Sequence, residues 1–448
     1  MSSSIRVINP MHLPTELPCE RYPLRPGARM GYKPNVVELS TGELLLANFH
    51  THHEAYDDGS MCEHIVLHRS TDGGCTWRSQ HVDHLWGREP YLNLLSDDVL
   101  IITTHFLESD VRNRSDHTTV YLHRSEDRGE TWTSANVDVD MIPEKVAYTY
   151  TSRNIIELAD GTSILGVGCG HDTDYLFRSS DRGQTWAVEK MATIGFDSAT
   201  YEYSILQEGV FHVTDGGRLL LFARCDVRAI SFDSPLPGLP DFTDVGDSPS
   251  DHFDVEIIFE SADGGGSWNA VQALPILGCM YPSLCSLGEG CYLFNYTQRV
   301  PLADRRMGVY GLLLREREDG TFAVDVEQDL IAIDEKTPDY FDSGGGFGNT
   351  LQLRDGSLLT PYSYLDADPE IEELLRTGAF MEKAVFDGYR NRALPYYRRW
   401  VEHITWKSVK NADRVAQQHC FMGCTAVLNL SGHITEVCRW ALPSQPRQ

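Results

Sequence analysis

Histidine and acidic side chains occur together at several points in the first 172 residues of the chain. The histidines are His50, His52, His53, His105 and His171, and the neighbouring acids are Asp57, Asp58 and Asp172. Imidazole titrates near neutral pH, so it can act as a general acid or base. With carboxylates it can instead hold a divalent metal ion. A third interpretation, in which neutral loop histidines stack on a bound ligand, stays open, and we expect neither a metal nor a cofactor.

A glutamate and an arginine, sixteen residues apart, form a second group with chemical potential. Glu208 precedes one apolar run and Arg224 ends the next, so a hairpin would bring both to the same edge of a sheet. Guanidinium groups bind carboxylates in planar, bidentate geometry. The net charge of −27 opposes the approach of an anion, so a concentrated arginine cluster would have to create the local positive field.

The composition excludes several classes of protein. Of 448 residues, 41% are apolar and 23% are charged, which is ordinary for a folded globular chain. The 65 acidic residues outnumber the 38 basic ones, and so acidic a chain repels a nucleic-acid backbone. No apolar stretch reaches the ~18 residues of a membrane span, and the N-terminus shows no signal-peptide pattern. With 11 scattered cysteines, which indicate reduced thiols, we expect a cytoplasmic protein that binds neither nucleic acid nor membrane.

One octapeptide organises the sequence. It has the pattern Ser-x-Asp-x-Gly-x-Thr/Ser-Trp and occurs at 70–77, 125–132, 179–186 and 261–268, with a degenerate copy at 316–322. Asp and Ser side chains bond the local backbone, Gly supplies a left-handed residue, and Trp packs the turn onto a sheet. Each clear copy follows a short apolar run with β character. The octapeptide therefore predicts a tight turn between two antiparallel strands.

A second repeat, in which a polar turn separates two apolar runs, alternates with the first. Its turns lie at Gly42, Asp98, Gly161, Gly217, Gly290 and Gly356. Two hairpins make a four-stranded antiparallel sheet, and such sheets repeated around an axis make a β-propeller. Six hairpins predict an all-β, six-bladed propeller that occupies residues 1–448 as a single domain.

Three segments depart from the repeat. Residues 1–25 are predicted to be an N-terminal extension, and residues 225–253, rich in Pro and Asp, a long loop insertion. Residues 366–410 include an amphipathic stretch that begins near Pro369, which predicts a small, partly helical insertion in the last blade. The remaining C-terminal region, including residues 424–430, is expected to supply the strands that close the ring.

The octapeptides are similar to the Asp boxes, or BNR repeats, of the sialidase (neuraminidase) superfamily, and the resemblance covers roughly residues 25–365. It implies a six-bladed propeller whose active site lies on the rim opposite the Asp boxes. It also implies a glycoside hydrolase that binds a carboxylated sugar with three arginines. Because a fold does not fix a function, the residues on that rim carry the functional expectation.

The resemblance assigns roles to several of these residues. Arg224 is similar to the second arginine of the family's carboxylate-binding triad, and Glu208 to a glutamate of the same hairpin. Arg306 resembles the third arginine. Asp58, with Asp57 beside it, stands where the family has an acid/base aspartate, whose pKa burial under a sugar would raise.

Two positions depart from the family pattern. Where the family has Arg-Ile-Pro, this chain has Tyr-Lys-Pro at 32–34, so another cation would replace the first arginine, the candidates being Arg29, Lys33 and Arg88. Counted back from Gly356, Phe347 stands in the place of the family's nucleophilic tyrosine. Tyr203 and Tyr340 are the alternative nucleophiles.

Three functional hypotheses follow. The first is a glycoside hydrolase that acts on the non-reducing end of an acidic glycan. The second is a polysaccharide lyase or atypical glycosidase, with His52 as the catalytic side chain and His171 beside the substrate. The third is a non-catalytic glycan-binding propeller in which aromatic side chains such as Tyr281 stack on sugars. A carbohydrate is the expected partner in all three, and the sequence leaves a homo-oligomer open.

Overall fold

The computed structural model of the chain describes residues 11–12, 19–23, 31–55, 57–106, 110–113, 120–136, 149–169, 173–194, 209–226, 254–276, 279–298, 308–326, 328–335, 346–365 and 433–440. Nearly all of its regular structure is β-strand, and Ser96–Asp98 form a single turn of 3-10 helix. No helix in this part of the chain is long and apolar enough to span a bilayer.

The strands form antiparallel sheets, or blades, in chain order. Two short strands come first, β1 (Met11–His12) and β2 (Cys19–Pro23). Blade 1 consists of β3 (Tyr32–Glu38), β4 (Leu44–Ala55), β5 (Met61–Ser70) and β6 (Arg78–Trp86). Blade 2 consists of β7 (Arg88–Leu94), β8 (Leu100–His105), β9 (Val120–Ser125) and β10 (Thr133–Asn136). Blade 3 consists of β11 (Thr149–Glu157), β12 (Ser163–Cys169), β13 (Thr173–Ser179) and β14 (Ala187–Lys190).

Blades 4 and 5 carry additions to the four-stranded plan, and blade 6 takes its outer strand from the N-terminal segment. Blade 4 has β15 (Ala192–Ile194) parallel to its edge, followed by β16 (Val210–Val213), β17 (Leu219–Asp226), β18 (Asp254–Ser261) and β19 (Ser267–Ala273). Blade 5 consists of β20 (Cys279–Gly288), β21 (Cys291–Gln298), β22 (Gly308–Glu316), the short β23 (Phe322–Ala323) and β24 (Leu330–Asp334). Blade 6 consists of β25 (Leu351–Gln352), β26 (Leu358–Leu365), β27 (His433–Trp440) and β2.

The first strand of each blade lies at the centre of a closed ring. β3 contacts β7, β7 contacts β11, β11 contacts β16, β16 contacts β20, β20 contacts β25, and β25 returns to β3. The prediction of an all-β propeller with six four-stranded antiparallel blades is therefore confirmed. The predicted helical insertion at 366–410, the strand at 424–430 and residues 227–253 of the predicted loop lie outside the described residues.

Asparagine side chains join neighbouring inner strands. Asn35 Oδ1 accepts a hydrogen bond from the backbone N–H of Leu92 at 2.9 Å, which links blade 1 to blade 2. Asn93 bonds blade 3 in the same way, and Asn154 and Asn349 each bond both backbone groups of one residue in the next blade. These bonds satisfy buried polar groups and fix the rotation of each blade relative to the next.

The four clear octapeptides form the predicted turn. In the first copy Ser70 Oγ accepts the N–H of Gly74 at 3.0 Å, and Asp72 accepts both the N–H and the hydroxyl of Thr76. The Trp77 indole donates to the carbonyl of Gly74 at 2.9 Å. The Ser and Asp contacts recur in the other copies. The degenerate copy keeps only the local turn, in which Thr321 donates to Asp319.

The Asp boxes share one rim of the propeller with the turns between the first two strands. Arg128, in the second Asp box, donates to Asp98 at 2.7 Å, and Arg182, in the third, donates to Asp97 at 2.6 Å. Both acceptors lie in the turn between β7 and β8. The beginnings of the inner strands therefore open on the opposite rim.

The N-terminal segment takes part in closing the ring. β2 pairs with β27 as the outer strand of blade 6, and β1 pairs in parallel with β24 of blade 5. Arg21 on β2 donates to the Tyr362 hydroxyl at 2.7 Å, to Asp334 at 3.2 Å and to the carbonyl of Ile333 at 2.6 Å. One side chain thus bridges blades 5 and 6.

Replacing Arg21 with alanine is expected to lower the free energy of unfolding by about 2–3 kcal/mol, because buried acceptors lose a charged donor. Urea denaturation followed by circular dichroism measures the change. Arg317→Ala, in an exposed turn, is the matched control and should shift the free energy by less than about 0.5 kcal/mol. Equal midpoints for Arg21→Ala and the wild type would mean that β2 does not help to hold the ring closed.

Candidate functional site

The inner strands share an irregularity near their beginnings. The pairing register shifts at residues 32–35 in blade 1, 88–91 in blade 2, 151–155 in blade 3 and 280–283 in blade 5. The side chains carried within these bulges include Lys33, Glu89, Arg153 and Tyr281, and Phe347 precedes β25 in blade 6. β-Bulges re-aim side chains and are frequent beside functional sites.

Four of these five residues adopt a backbone conformation that is uncommon outside glycine. The φ angles are 46° for Lys33, 53° for Glu89, 55° for Tyr281 and 57° for Phe347. Such conformations persist only where the surrounding structure enforces them, and they are concentrated at functional sites. The repetition in four blades indicates a common arrangement at the same rim.

The five side chains meet although they come from five different blades, not all of which are neighbours in the ring. The Lys33 ammonium of blade 1 lies 4.8 Å from the ring centre of Phe347 and 5.8 Å from that of Tyr281. The Arg153 guanidinium of blade 3 lies 4.1 Å from the ring centre of Tyr281 in blade 5. Contacts that cross the ring in this way place the group on the propeller axis, at the mouth opposite the Asp boxes. We refer to Lys33, Arg88, Glu89, Arg153, Tyr281 and Phe347 as the mouth cluster.

Glu89 is the electrostatic centre of the mouth cluster. One carboxylate oxygen lies 2.5 Å from Lys33 Nζ, and the other accepts a hydrogen bond from Arg153 Nη1 at 3.0 Å. Arg88 Nε is 3.7 Å from the first oxygen. Burial opposes ionisation, but Lys33 and Arg153 outweigh it and hold the pKa of Glu89 well below its ordinary value. Three cations therefore surround an ionised carboxylate.

A second carboxylate, that of Glu63, forms an ion pair with Arg88. Glu63, which has no exposed side-chain surface, accepts a hydrogen bond from Arg88 Nη1 at 2.9 Å. Burial raises the pKa of Glu63 despite the adjacent guanidinium. Its second oxygen bonds no partner among the described residues. Glu63 thus helps to hold the guanidinium of Arg88 beside Glu89.

Aromatic rings line the other half of the mouth. The ring of Phe347 meets that of Tyr32 edge-on at 5.3 Å between ring centres and that of Tyr281 at 5.8 Å. Tyr281 is fully buried, and its ring lies beneath Arg153. The mouth thus combines a charged side, from blades 1 to 3, with an aromatic side, from blades 5, 6 and 1.

Of the substrate-binding residues predicted from the sequence, Lys33, Arg88 and Tyr281 are brought together here. Arg224 lies on β17 opposite Glu256, with 8% of its surface exposed. Glu208, Tyr203, Arg306 and His171 lie outside the described residues, as does the side chain of His52. Their predicted roles stay predictions.

Asp58 and Asp57 are both exposed, in the turn between β4 and β5. Hydrogen bonds from the hydroxyl and the backbone N–H of Ser60, at 2.6 and 2.9 Å, lower the pKa of Asp58. A general acid requires the opposite shift. The role of Asp58 as the acid therefore depends on burial by a bound sugar, as the sequence argument assumed.

His105 is the histidine that the structure links to the mouth cluster. Burial lowers its pKa to about 4, and the charge of Glu89 offsets this effect only in part. His105 is therefore neutral at pH 7. Among the described residues, no group of three or more His, Cys, Asp or Glu side chains is arranged to hold a metal ion.

Sequence reasoning did not assign roles to Glu89, Arg153 or Glu63. The sequence did carry a signal for Glu89. Three inner strands have a proline near their beginning, and the residue before each proline belongs to the mouth cluster: Lys33-Pro34, Glu89-Pro90 and Tyr281-Pro282. Aligning these dipeptides across blades would have grouped the three side chains. Arg153 precedes Asn154, so that signal does not reach it. Glu63 becomes recognisable only through its contact with Arg88.

Three histidines with lowered pKa values predict how stability depends on pH. Burial lowers the pKa of His105, His123 and His212 to about 4, from 6.5. Because the folded state resists protonation, this contribution to stability is full above pH 6.5 and is lost as the pH falls toward 4. In that window we expect the free energy of unfolding to fall by about 1.4 kcal/mol per pH unit for each histidine.

The test is urea denaturation at several pH values for His123→Gln and for His81→Gln. The first variant should show a shallower pH slope than the wild type, because one buried imidazole has been removed. His81 is half-exposed and serves as the matched control, with an unchanged slope. A wild-type slope in His123→Gln would rule out this histidine as a source of acid lability.

Comparison with known proteins agrees with the fold. Residues 176–189, at the third octapeptide, match the family model of the BNR-Asp box repeat. A protein of unknown function from Dyadobacter fermentans superposes with a TM-score of 0.55 at 18% identity, over 77% of this chain and 93% of that one. No curated protein sequence matches the chain.

Two sialidases superpose less closely. The leech intramolecular trans-sialidase, solved with 2,7-anhydro-Neu5Ac, gives a TM-score of 0.50 at 13% identity, and the NanB sialidase of Streptococcus pneumoniae gives 0.51 at 12%. Each comparison covers 75% of this chain and 65% of the sialidase, so the chain spans about two thirds of their length. The resemblance to Asp-box six-bladed propellers is confirmed, and at these identities the similarity extends to the fold alone.

Proposed function

We propose that this chain is a glycoside hydrolase of the sialidase type that acts on the non-reducing end of a glycan bearing a carboxylate. The observation that carries the proposal is the convergence of Lys33, Arg88 and Arg153 on one carboxylate at the mouth opposite the Asp boxes. A site that holds the carboxylate of Glu89 with these cations has the chemistry to hold the carboxylate of a sugar.

The location of the cluster also supports the proposal. Five of the six blades deliver side chains from distant parts of the sequence to one mouth, where the cations pack against buried aromatic rings. The charged side of the mouth has the chemistry to bind the acidic group of a sugar acid.

In this proposal Lys33 takes the place of the family's first arginine, with Arg88 and Arg153 beside it. Glu208 and Arg224 keep their predicted roles at the neighbouring hairpin of blade 4, and Asp58 supplies the proton once a sugar covers it. Cleavage of a glycosidic bond requires an acid for the leaving oxygen and negative charge near the developing oxocarbenium ion.

The experiment is a panel of fluorogenic glycosides: N-acetylneuraminate, glucuronate and an unsaturated uronide, with a neutral galactoside as the control. Turnover of an acidic glycoside and not of the neutral one is the expected result. Turnover of the neutral glycoside alone would contradict the proposal. An unsaturated product from an acidic polysaccharide would instead favour the lyase with a catalytic histidine.

A non-catalytic, glycan-binding propeller is the second candidate, and Phe347 favours it. This residue stands where the sequence comparison expects the nucleophilic tyrosine, and its ring is buried between Tyr32 and Tyr281. Phenylalanine cannot attack an anomeric carbon. Binding to acidic glycans on an array, without release of any product, would select this candidate over the hydrolase.

A further inference from the structure

Within the mouth cluster, Glu89 occupies the position that an acidic ligand group would take. Its two oxygens are divided between Lys33 and Arg153, at 2.5 and 3.0 Å. Its side chain is 15% exposed, so the carboxylate borders the opening and is not sealed in the core. The protein therefore supplies, from its own Glu89 side chain, one of the anions that the cations can bind.

The backbone holds Glu89 in this position. Its φ of 53° lies in the left-handed region, and the next residue is Pro90, which restricts the conformations open to Glu89. Lys33, its closest partner, has the same kind of conformation and is also followed by a proline. Equivalent bulges in β3 and β7 therefore position Lys33 and Glu89. The backbone, and not only the flexibility of the side chain, places the Glu89 carboxylate next to the cations.

The charges of the described side chains limit how many acidic groups a ligand of the mouth cluster can carry. Lys33, Arg88 and Arg153 face the two carboxylates of Glu89 and Glu63. A ligand with one acidic group can neutralise the remaining excess. A second acidic group would lie against Glu89, and like charges at close range in a partly buried site repel strongly.

We infer that Glu89 is a specificity-determining residue, which restricts the site to ligands with a single acidic group and rejects those with two. The inference rests on the proposed function and deepens it, because it names the charge of the sugar that the mouth accepts. Removing the charge of Glu89 should convert the preference from monoanionic to dianionic ligands.

The test measures, by isothermal titration calorimetry, the affinities for glucuronate and N-acetylneuraminate, which carry one carboxylate, and for glucarate, which carries two. The wild type should bind the monoanions more tightly than glucarate. Glu89→Gln should shift the ratio of affinities toward glucarate by about tenfold or more, which corresponds to about 1.4 kcal/mol. Glu89→Asp keeps the charge and should keep the wild-type ratio.

Asp97→Asn is the matched control. It removes one negative charge from the Asp-box rim, where Asp97 pairs with Arg182, and so changes the net charge of the chain by the same amount. It should leave the ratio unchanged. A Glu89→Gln ratio equal to that of the wild type, in a protein that binds acidic sugars, would overturn the inference alone. If neither the folded wild type nor the folded Glu89→Gln variant bound any of the three acids, both the inference and the proposed function would be overturned.

Discussion

Replacing Trp268 with alanine is expected to lower the free energy of unfolding by about 3–5 kcal/mol, the range for deleting a fully buried indole. Trp268 has no exposed surface, its ring stacks on Phe211 with 5.6 Å between ring centres, and its indole N–H donates to Gly265 at 2.9 Å. The substitution leaves a cavity at the edge of blade 4 and an unmatched carbonyl in the turn. Urea denaturation followed by circular dichroism measures the loss.

Trp86→Ala provides the matched control for this prediction. Trp86 is 37% exposed at the end of β6, so its removal should cost about 1 kcal/mol or less. Equal losses in the two variants would mean that the tryptophan of the Asp box does not anchor its blade.

The second large effect concerns activity. In the proposed hydrolase, Arg153→Ala is expected to lower kcat/KM for an acidic glycoside by about 100-fold or more, because one partner of a partly desolvated charge cluster is lost. Arg153 bonds Glu89 and stacks on Tyr281, so its removal also frees the two groups that shape the mouth. Steady-state kinetics, with circular dichroism to confirm folding, are the measurement.

Two further variants make this result specific. Arg153→Lys keeps the charge but loses the planar guanidinium, so its kcat/KM should fall between the wild type and Arg153→Ala. Arg182→Ala removes an arginine from the Asp-box rim, where it pairs with Asp97, and should retain wild-type kinetics. If Arg153→Ala retained wild-type kinetics, the mouth cluster would have no part in the proposed reaction.

The blades were predictable because their signals are local. In each Asp box the Ser, Asp and Gly that bond one another lie within four residues, so the turn can be recognised without any knowledge of the rest of the chain. The six polar turns between apolar runs are equally local. Counting them was therefore sufficient to predict the number of blades.

The closure of the ring has no such local signal. β2 pairs with β27 across more than 400 residues of sequence, and neither segment carries an Asp box. Residues 19–23 consequently looked like part of an extension. The contacts of Arg21 with blades 5 and 6 depend on the complete ring and could not be inferred from residues near it.

The candidate site was predictable only in part, for the same reason. Lys33 and Arg88 were identified by their resemblance to a family position, but Glu89 and Arg153 acquire their significance from contacts between blades 1, 2 and 3. The sequence repeats predict which rim of the propeller a residue occupies. It does not predict which side chains reach the axis, because that depends on the bulges that re-aim them.

A crystal structure of the protein soaked with an acidic monosaccharide such as N-acetylneuraminate would test the central claim most directly. The account predicts the sugar carboxylate at the mouth, within hydrogen-bond distance of Arg88 or Arg153, with the sugar ring toward the aromatic side. A sugar bound on the Asp-box rim, with the Lys33–Glu89–Arg153 contacts undisturbed and the mouth empty, would contradict it.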